Sequence, residues 1–220
     1  MGLEQEGSSL ENLYRTHHAQ KRGEGFVLLG AIRGDFLKSN IGVGKQVLDI
    51  GCRDGALTRS YAHGNTVTGL DIDNQALTQA KNELGIQVKH VDLNGDWGVP
   101  PASFDFVVAA EVVEHLYYPD AVMEKVARVL KPGGVLLGTV PNAFSLKNRI
   151  RLFLLKKKHT PLGDPTHINH FVVKELEEVL KNHFKKVTVT GAGRFTFLAR
   201  TFPQLFAFDL MFRAEDPRTK

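Results

Sequence analysis

Four acidic residues recur at comparable places along the chain, each closing a short apolar run. Asp49 lies near the end of Val47-Leu48-Asp49-Ile50, Asp71 ends Thr66–Asp71, Asp92 follows Ile86–Val91, and Glu111 follows Phe104–Ala110. A carboxylate can accept from two hydroxyls at once, so Asp71 is placed to grip a ribose diol. Asp92 is placed to meet an exocyclic amine such as that of adenine. Between the first two acids stands Gly51-Cys52-Arg53-Asp54-Gly55. Its glycines let backbone approach a ligand closely, because no Cβ stands in the way.

These residues need a particular scaffold. Val47, Leu48 and Ile50 read as a strand buried on both faces, followed by the glycine turn and a helix-like pattern from Ala56 to His63. Strand two is Thr66–Asp71, a helix spans Asn74–Leu84 with Gly85 as its stop, and Ile86–Val91 is strand three. Asp73 is the expected cap of that helix. Phe104–Ala110 is strand four, Asp120–Leu130 a helix, and Val135–Val140 strand five after the turn Lys131-Pro132-Gly133-Gly134. The alternation implies an α/β fold, a doubly wound, mostly parallel sheet with helices on both faces. Ligands of such sheets sit at the carboxyl ends of the strands, where Asp49, Gly51, Asp71, Asp92 and Glu111 all fall.

The chain has 220 residues, enough to bury roughly 70–75% of its unfolded surface without staples. A single cysteine, Cys52, excludes an internal disulfide framework. A net charge of +4 is mild and does not point to nucleic acid. No stretch is apolar enough to span a bilayer, and the acidic start does not read as a signal peptide, so a soluble, cytoplasmic protein is expected. The N-terminal part, residues 1–44, reads as two helices. One begins near Leu10 behind Ser9. The other runs from Glu24 to Ser39 with Phe26, Leu29, Ile32 and Phe36 on one face. They either pack on the sheet or form a lid carrying Tyr14, His17 or His18.

The motifs VLDIGCRDG (47–55), LDID (70–73), VDLN (91–94), FDFVVAAEVVEHL (104–116) and LKPGGVLLGTVPN (130–142) together resemble the class I S-adenosylmethionine-dependent methyltransferases. The resemblance implies a Rossmann-like seven-stranded sheet whose last strand is antiparallel. It implies S-adenosylmethionine (SAM) lying across the glycine loop. Asp49, Gly51, Cys52, Arg53 and Gly55 would line it, Asp71 and Ile72 would take the ribose, and Asp92 and Leu93 the adenine. Ala109, Ala110 and Glu111 would complete the groove. One departure stands out: the family usually has glycine where this chain has Arg53. That side chain must point away from SAM, pair with Asp54 or reach the cofactor's carboxylate. A nicotinamide site fits worse, since Arg53 and Ala56 occupy two glycine places of G-x-G-x-x-G.

Methyl transfer to a hydroxyl needs an in-line nucleophile and a proton acceptor. His115, His167 and His170 are the candidate bases. Glu111-x-x-Glu114-His115 with His167-x-x-His170 also resembles the set of the ubiquinone-biosynthesis O-methyltransferases and the small-RNA 3′-terminal ribose methyltransferases. In those groups it holds a divalent metal, which implies Glu111, Glu114, His115 and His170 as ligands here. Mg²⁺, Mn²⁺ or Zn²⁺ suits such donors.

Residues 45–142 thus form the SAM-binding core, 143–171 a basic cap insertion, and 172–220 a C-terminal helix and strands. In the cap, Leu146, Ile150, Phe153 and Leu154 share one helical face among Lys147, Arg149, Arg151, Lys156, Lys157 and Lys158. This is either the solvated side of a docked helix or a surface for an anionic substrate, an acidic carrier or a membrane. Val172–Phe184 reads as a helix, Lys186–Thr190 as strand six and Ala207–Arg213 as the last strand. Phe195, Phe197, Phe202 and Phe206 are expected in the core or around an apolar pocket. The function expected is methylation of a small-molecule or lipid-like acceptor, at oxygen, by a monomer or homodimer. RNA ribose methylation with a metal, and a non-catalytic SAM-binding module, are the alternatives.

Overall fold

A computed structural model describes residues 29–218. The helix expected at Leu10, the residues Tyr14, His17 and His18, and the start of the second helix lie outside the described residues. The sheet has seven strands: β1 Gln46–Ile50, β2 Thr66–Asp71, β3 Gln87–His90, β4 Phe104–Ala110, β5 Leu130–Pro141, β6 Phe184–Ala192 and β7 Asp209–Pro217. Their order is β3-β2-β1-β4-β5-β7-β6. Pairings among β1 to β5 are parallel, and β7 runs antiparallel between β5 and β6. The expected fold is the observed one, with an antiparallel last strand. That strand starts two residues later and ends four residues later than its apolar pattern suggested. It keeps pairing along β5 from Pro141↔Asp209 to Val135↔Glu215.

The helices are α1 Gly30–Ile41, α2 Arg59–Ala62, α3 Asn74–Leu84, α4 Pro119–Val129, α5 Leu146–Phe153, α6 Val173–His183, α7 Thr196–Thr201 and α8 Pro203–Phe206. Local chemistry explains several ends. Asp73 caps α3 by accepting from the N–H groups of Gln75 and Ala76, and Gly85 stops it with φ 65°. Pro119 opens α4 at a position that needs no N–H donor. The helix expected from Ala56 to His63 shortens to α2, because residues 55–58 are spent on the glycine turn.

Two apolar layers cover the sheet. Leu48, Ile50, Val107, Ala109 and Leu136 pack on one side with α4 and α6. Val47, Phe106, Val108, Val135 and Leu137 pack on the other with Leu37 and Ile41 of α1 and Tyr61 of α2. Neighbouring strand residues point to opposite faces, so an unbroken apolar run serves both layers. Each such side chain stabilises the fold by about 1.5–3 kcal/mol.

Helix α1 presents a different face from the expected one. Arg33, Gly34, Leu37 and Ile41 are buried, while Ile32 is exposed. Gly34 allows the close approach, since a Cβ there would meet the Ser60 side chain at 3.1 Å. Arg33 is drawn inward by two carboxylates described below.

The cap departs further from expectation. Phe195, Phe197, Phe202 and Phe206 are exposed rather than in the core. The cause is the closeness of α7 and α8 to β6. A Cβ on Gly191 would lie 2.2 Å from the Ala199 carbonyl oxygen and 2.6 Å from the Ala207 Cβ. Contact is made through small residues, which leaves no depth for a ring. In α5 the buried residue is Asn148, and the apolar positions face outward.

Candidate active site

The turn after β1 is built on backbone. The N–H groups of Gly51 and Cys52 both donate to the Leu70 carbonyl, tying the loop to β2. Gly51 has φ 72°, and a Cβ there would lie 2.5 Å from Val112 Cγ2. Arg53 has φ 49°, in the left-handed region where glycine would be unstrained. The strained arginine is held by Asp71, whose Oδ2 accepts the Arg53 N–H at 2.8 Å. Its Oδ1 accepts the Asp73 N–H at 2.9 Å. Burial pushes the Asp71 carboxyl above its ordinary value, and these two N–H donors oppose that rise. Arg53 forms no ion pair with Asp54, whose Oδ1 accepts the Ala56 N–H instead. The Arg53 Nε is buried without a hydrogen-bond partner.

Other predicted groove residues shape the site from behind. Asp49 is buried and accepts from the Thr58 hydroxyl at 2.6 Å and the Tyr61 hydroxyl at 2.5 Å. Burial raises its carboxyl to about 6. The Cys52 thiol lies against Gly69, and burial followed by the charge of Asp49 pushes its pKa well up. Ala109 is fully buried and Ala110 half-buried. Asp92 is exposed, and its Oδ1 accepts from the backbone and side-chain nitrogens of Asn94. The Ile72 carbonyl accepts from His90 Nε2. The Leu93 carbonyl accepts from Trp97 Nε1 and from the Lys125 ammonium, which also reaches the carbonyls of Asn94 and Gly95. Lys125, absent from the sequence-based set, therefore holds the loop after β3.

At the end of β4 the carboxylates divide into two groups. Glu111 has φ 59°, a second left-handed residue beside the groove. Its Oε2 pairs with the Arg33 guanidinium at 3.0 Å, and its Oε1 accepts the Thr139 hydroxyl at 3.1 Å. The Arg33 Nε donates to Asp209 Oδ2 at 2.9 Å. Burial lowers the Arg33 pKa, but Glu111 and Asp209 outweigh it, so the net shift is upward and the guanidinium is permanently charged. Neither Arg33 nor Asp209 belonged to the sequence-based set.

Glu114 lies in the short turn Val113–His115, a single 3₁₀ turn. It is buried, and neither carboxylate oxygen has a hydrogen-bond partner. Burial, reinforced by the charge of Glu111, raises its pKa well above the usual range. His115 Nδ1 donates to the Thr166 carbonyl at 2.8 Å, and its Nε2 lies 3.8 Å from Glu114 Oε1. The His115 and His167 rings are 4.9 Å apart, and His167 and His170 are 6.4 Å apart. Donor atoms of Glu114, His115 and His167 all lie within 4.8 Å of one another. Of the expected ligand set, the structure thus gathers Glu114 and His115 and adds His167. Glu111 is engaged by Arg33, and His170 stands one ring further out.

Beside this cluster is a cavity of about 230 Å³. Its lining includes Glu111, His167, Asp209, Lys147, Arg151 and Phe208.

The model of a methyltransferase domain matches residues 26–183, most of the chain. The chain belongs to the class I SAM-dependent methyltransferases. Ubiquinone biosynthesis O-methyltransferases are similar to this methyltransferase over part of its length. The protein of that name from Klebsiella pneumoniae is 42% identical over 97 residues, 41% of this chain and 40% of its own. The one from Azoarcus is 32% identical over 121 residues, 52% of each chain. The methyltransferase thus spans about half or less of the curated relatives it matches. Among solved structures, a SAM-dependent methyltransferase from Archaeoglobus fulgidus superposes with a TM-score of 0.66 at 20% identity, covering 92% of this chain and 99% of its own. One from Methanosarcina mazei gives 0.59 at 21% identity, covering 82% and 96%. At those identities the likeness speaks for the fold alone.

Proposed function

We propose that this enzyme transfers the SAM methyl group to an oxygen of a small-molecule acceptor seated in the cavity beside Glu111 and the cap. Asp71 would take the ribose hydroxyls with the lone pairs left by Arg53 and Asp73. Asp92 and Leu93, on the loop held by Lys125, would face the adenine. The buried Nε of Arg53 would meet the methionine carboxylate. The O-methyltransferase relatives favour a small-molecule acceptor over RNA.

The observation that carries the acceptor side is Glu114, a buried carboxylate without a hydrogen-bond partner, 3.8 Å from His115 Nε2. Such a group is costly to bury unless a cation balances it or a proton neutralises it. Glu114, His115 and His167 fit a divalent metal and would be the residues that hold it. A bound ion would lower the acceptor hydroxyl's pKa and draw its oxygen toward the site. The Thr166 carbonyl fixes the His115 tautomer, the usual support of a ligating imidazole. Arg33 occupies Glu111 through their 3.0 Å ion pair. His170, with Nε2 buried and unpartnered, is the next proton acceptor.

Calorimetric titration with Mn²⁺ and assay of SAM consumption on phenols and catechols test this reading. Wild-type enzyme should bind the ion, lose turnover to EDTA and regain it with a divalent salt. Glu114→Ala should lose ion binding and at least about a hundredfold in turnover while keeping cofactor affinity. EDTA-insensitive turnover with no ion binding would instead assign the chemistry to a histidine base.

A further inference from the structure

The cap carries an outward apolar surface that the reaction does not use. Phe153 and Leu155 at the end of α5 are 87% and 93% exposed, and Phe197 on α7 is 78% exposed. Helix α5 packs on α8, and α8 packs on α7, so these side chains belong to one continuous cap. Polar ties hold it in place. The buried Asn142 side chain donates to the carbonyls of Pro203, Gln204 and Ala207, and Asn148 donates to the Asn142 carbonyl. The apolar groups therefore contribute little to docking the cap.

Leu155 is the most telling residue. Its φ is 56°, a conformation costly for leucine and free for glycine. Glycine there would relieve both the backbone strain and the exposed apolar area. A leucine at such a place gains only if an apolar phase receives it.

Charge indicates which phase. The cap, residues 143–171 with 192–208, holds eight of the chain's 28 basic residues and one of its 24 acidic ones, Asp164, so the rest is net acidic, 20 against 23. We infer that this face docks on an anionic lipid surface, with the phenylalanines and leucines entering the acyl boundary and the cations meeting the headgroups. Helix α5 alternates Leu146, Ile150 and Phe153 with Lys147, Arg149 and Arg151, the make-up of an interfacial helix. Lysine and arginine lay their stems on apolar surface and keep their charges in water. Three consecutive lysines, 156–158, suit a lipid more than a protein partner, because lysine is depleted from protein interfaces. The acidic remainder of the chain would be repelled, which orients the cap toward the membrane. Lys147, Arg151 and Phe208 also line the acceptor cavity, so its lining is continuous with this face.

Co-sedimentation of the full chain with sucrose-loaded vesicles tests the inference. One set is phosphatidylcholine alone, the other an equal mixture with phosphatidylglycerol. Wild type should pellet with the mixed vesicles, much less with the neutral ones, and be released by high salt. Changing Lys156, Lys157 and Lys158 together to Gln should weaken binding about a hundredfold, at roughly a factor of five per cation. Phe153→Ser and Leu155→Gly should each weaken it about tenfold. The urea midpoint and affinity for S-adenosylhomocysteine should not move in any variant, which separates lipid docking from folding and from the cofactor site. Equal pelleting with both vesicle types, none with either, or wild-type binding by the lysine variant would overturn the inference.

Discussion

The strands proposed to carry the cofactor groove and the cap beside the proposed acceptor cavity are held by opposite means. In β1, β2 and β4 the apolar residues are inside, and three of the acids at the strand ends have defined partners. Asp49 takes two hydroxyls, Asp71 two N–H groups, and Glu111 an arginine and a hydroxyl. In the cap, the amides of Asn142 and Asn148 are inside with small residues such as Ala143, Ala199 and Ala207, and most of the large apolar residues are out. The difference shows that burial energy fixes the half that must hold its geometry. Hydrogen bonds of two asparagines and the contact of small residues hold the other half and leave its large apolar side chains outside.

This contrast breaks most visibly at Arg33. Arg33→Met keeps the volume but leaves Glu111 and Asp209 without their buried counter-charge. Urea unfolding should show a loss of about 3–5 kcal/mol. A loss below about 1 kcal/mol would mean that the two carboxylates find other partners and that α1 is held by its apolar residues alone.

A pH series sharpens the comparison at Asp49. Its carboxyl is raised by burial to about 6, above the roughly 3.9 of an unfolded chain. The folded state therefore holds this proton more tightly, so the stabilisation is complete below about pH 4 and lost as pH rises through about 6. Two units correspond to about 3 kcal/mol, an order-of-magnitude figure. Relative to Asp49→Asn, wild type should gain stability by up to that amount as pH falls from 7 to 4. Parallel curves for the two proteins would contradict the assignment.

The cap should give the smallest effect. Leu155→Gly should shift stability by no more than about 0.5 kcal/mol in either direction, since it removes an exposed side chain and a strained φ. Thermal unfolding that drops by several degrees would show that Leu155 packs after all.

The groove was largely legible from sequence because its signals are local. Apolar runs, the glycine turn, the Asp73 cap and the acid ending each strand lie within a few residues of one another. Arg33 and Asp209 were not legible. They stand 176 positions apart and meet only because antiparallel β7 begins where parallel β5 ends, placing Asp209 beside Pro141. His167 was preferred less than His170 as a ligand because spacing alone cannot tell which imidazole turns toward Glu114. The phenylalanines of α7 and α8 were misplaced for a related reason. Apolar content predicts burial only where there is depth to fill, and Gly191 against Ala199 leaves none.

The central claim is that SAM binds at the carboxyl ends of β1, β2 and β4 with Asp71 on its ribose. Calorimetric titration of S-adenosylhomocysteine into wild type and Asp71→Ala tests it most directly. Wild type should bind with micromolar affinity, roughly −8 kcal/mol, and the variant should lose about 1.5–3 kcal/mol, the worth of hydrogen bonds to a charged group. Equal affinity in the two proteins, with the variant folded, would remove Asp71 from the cofactor.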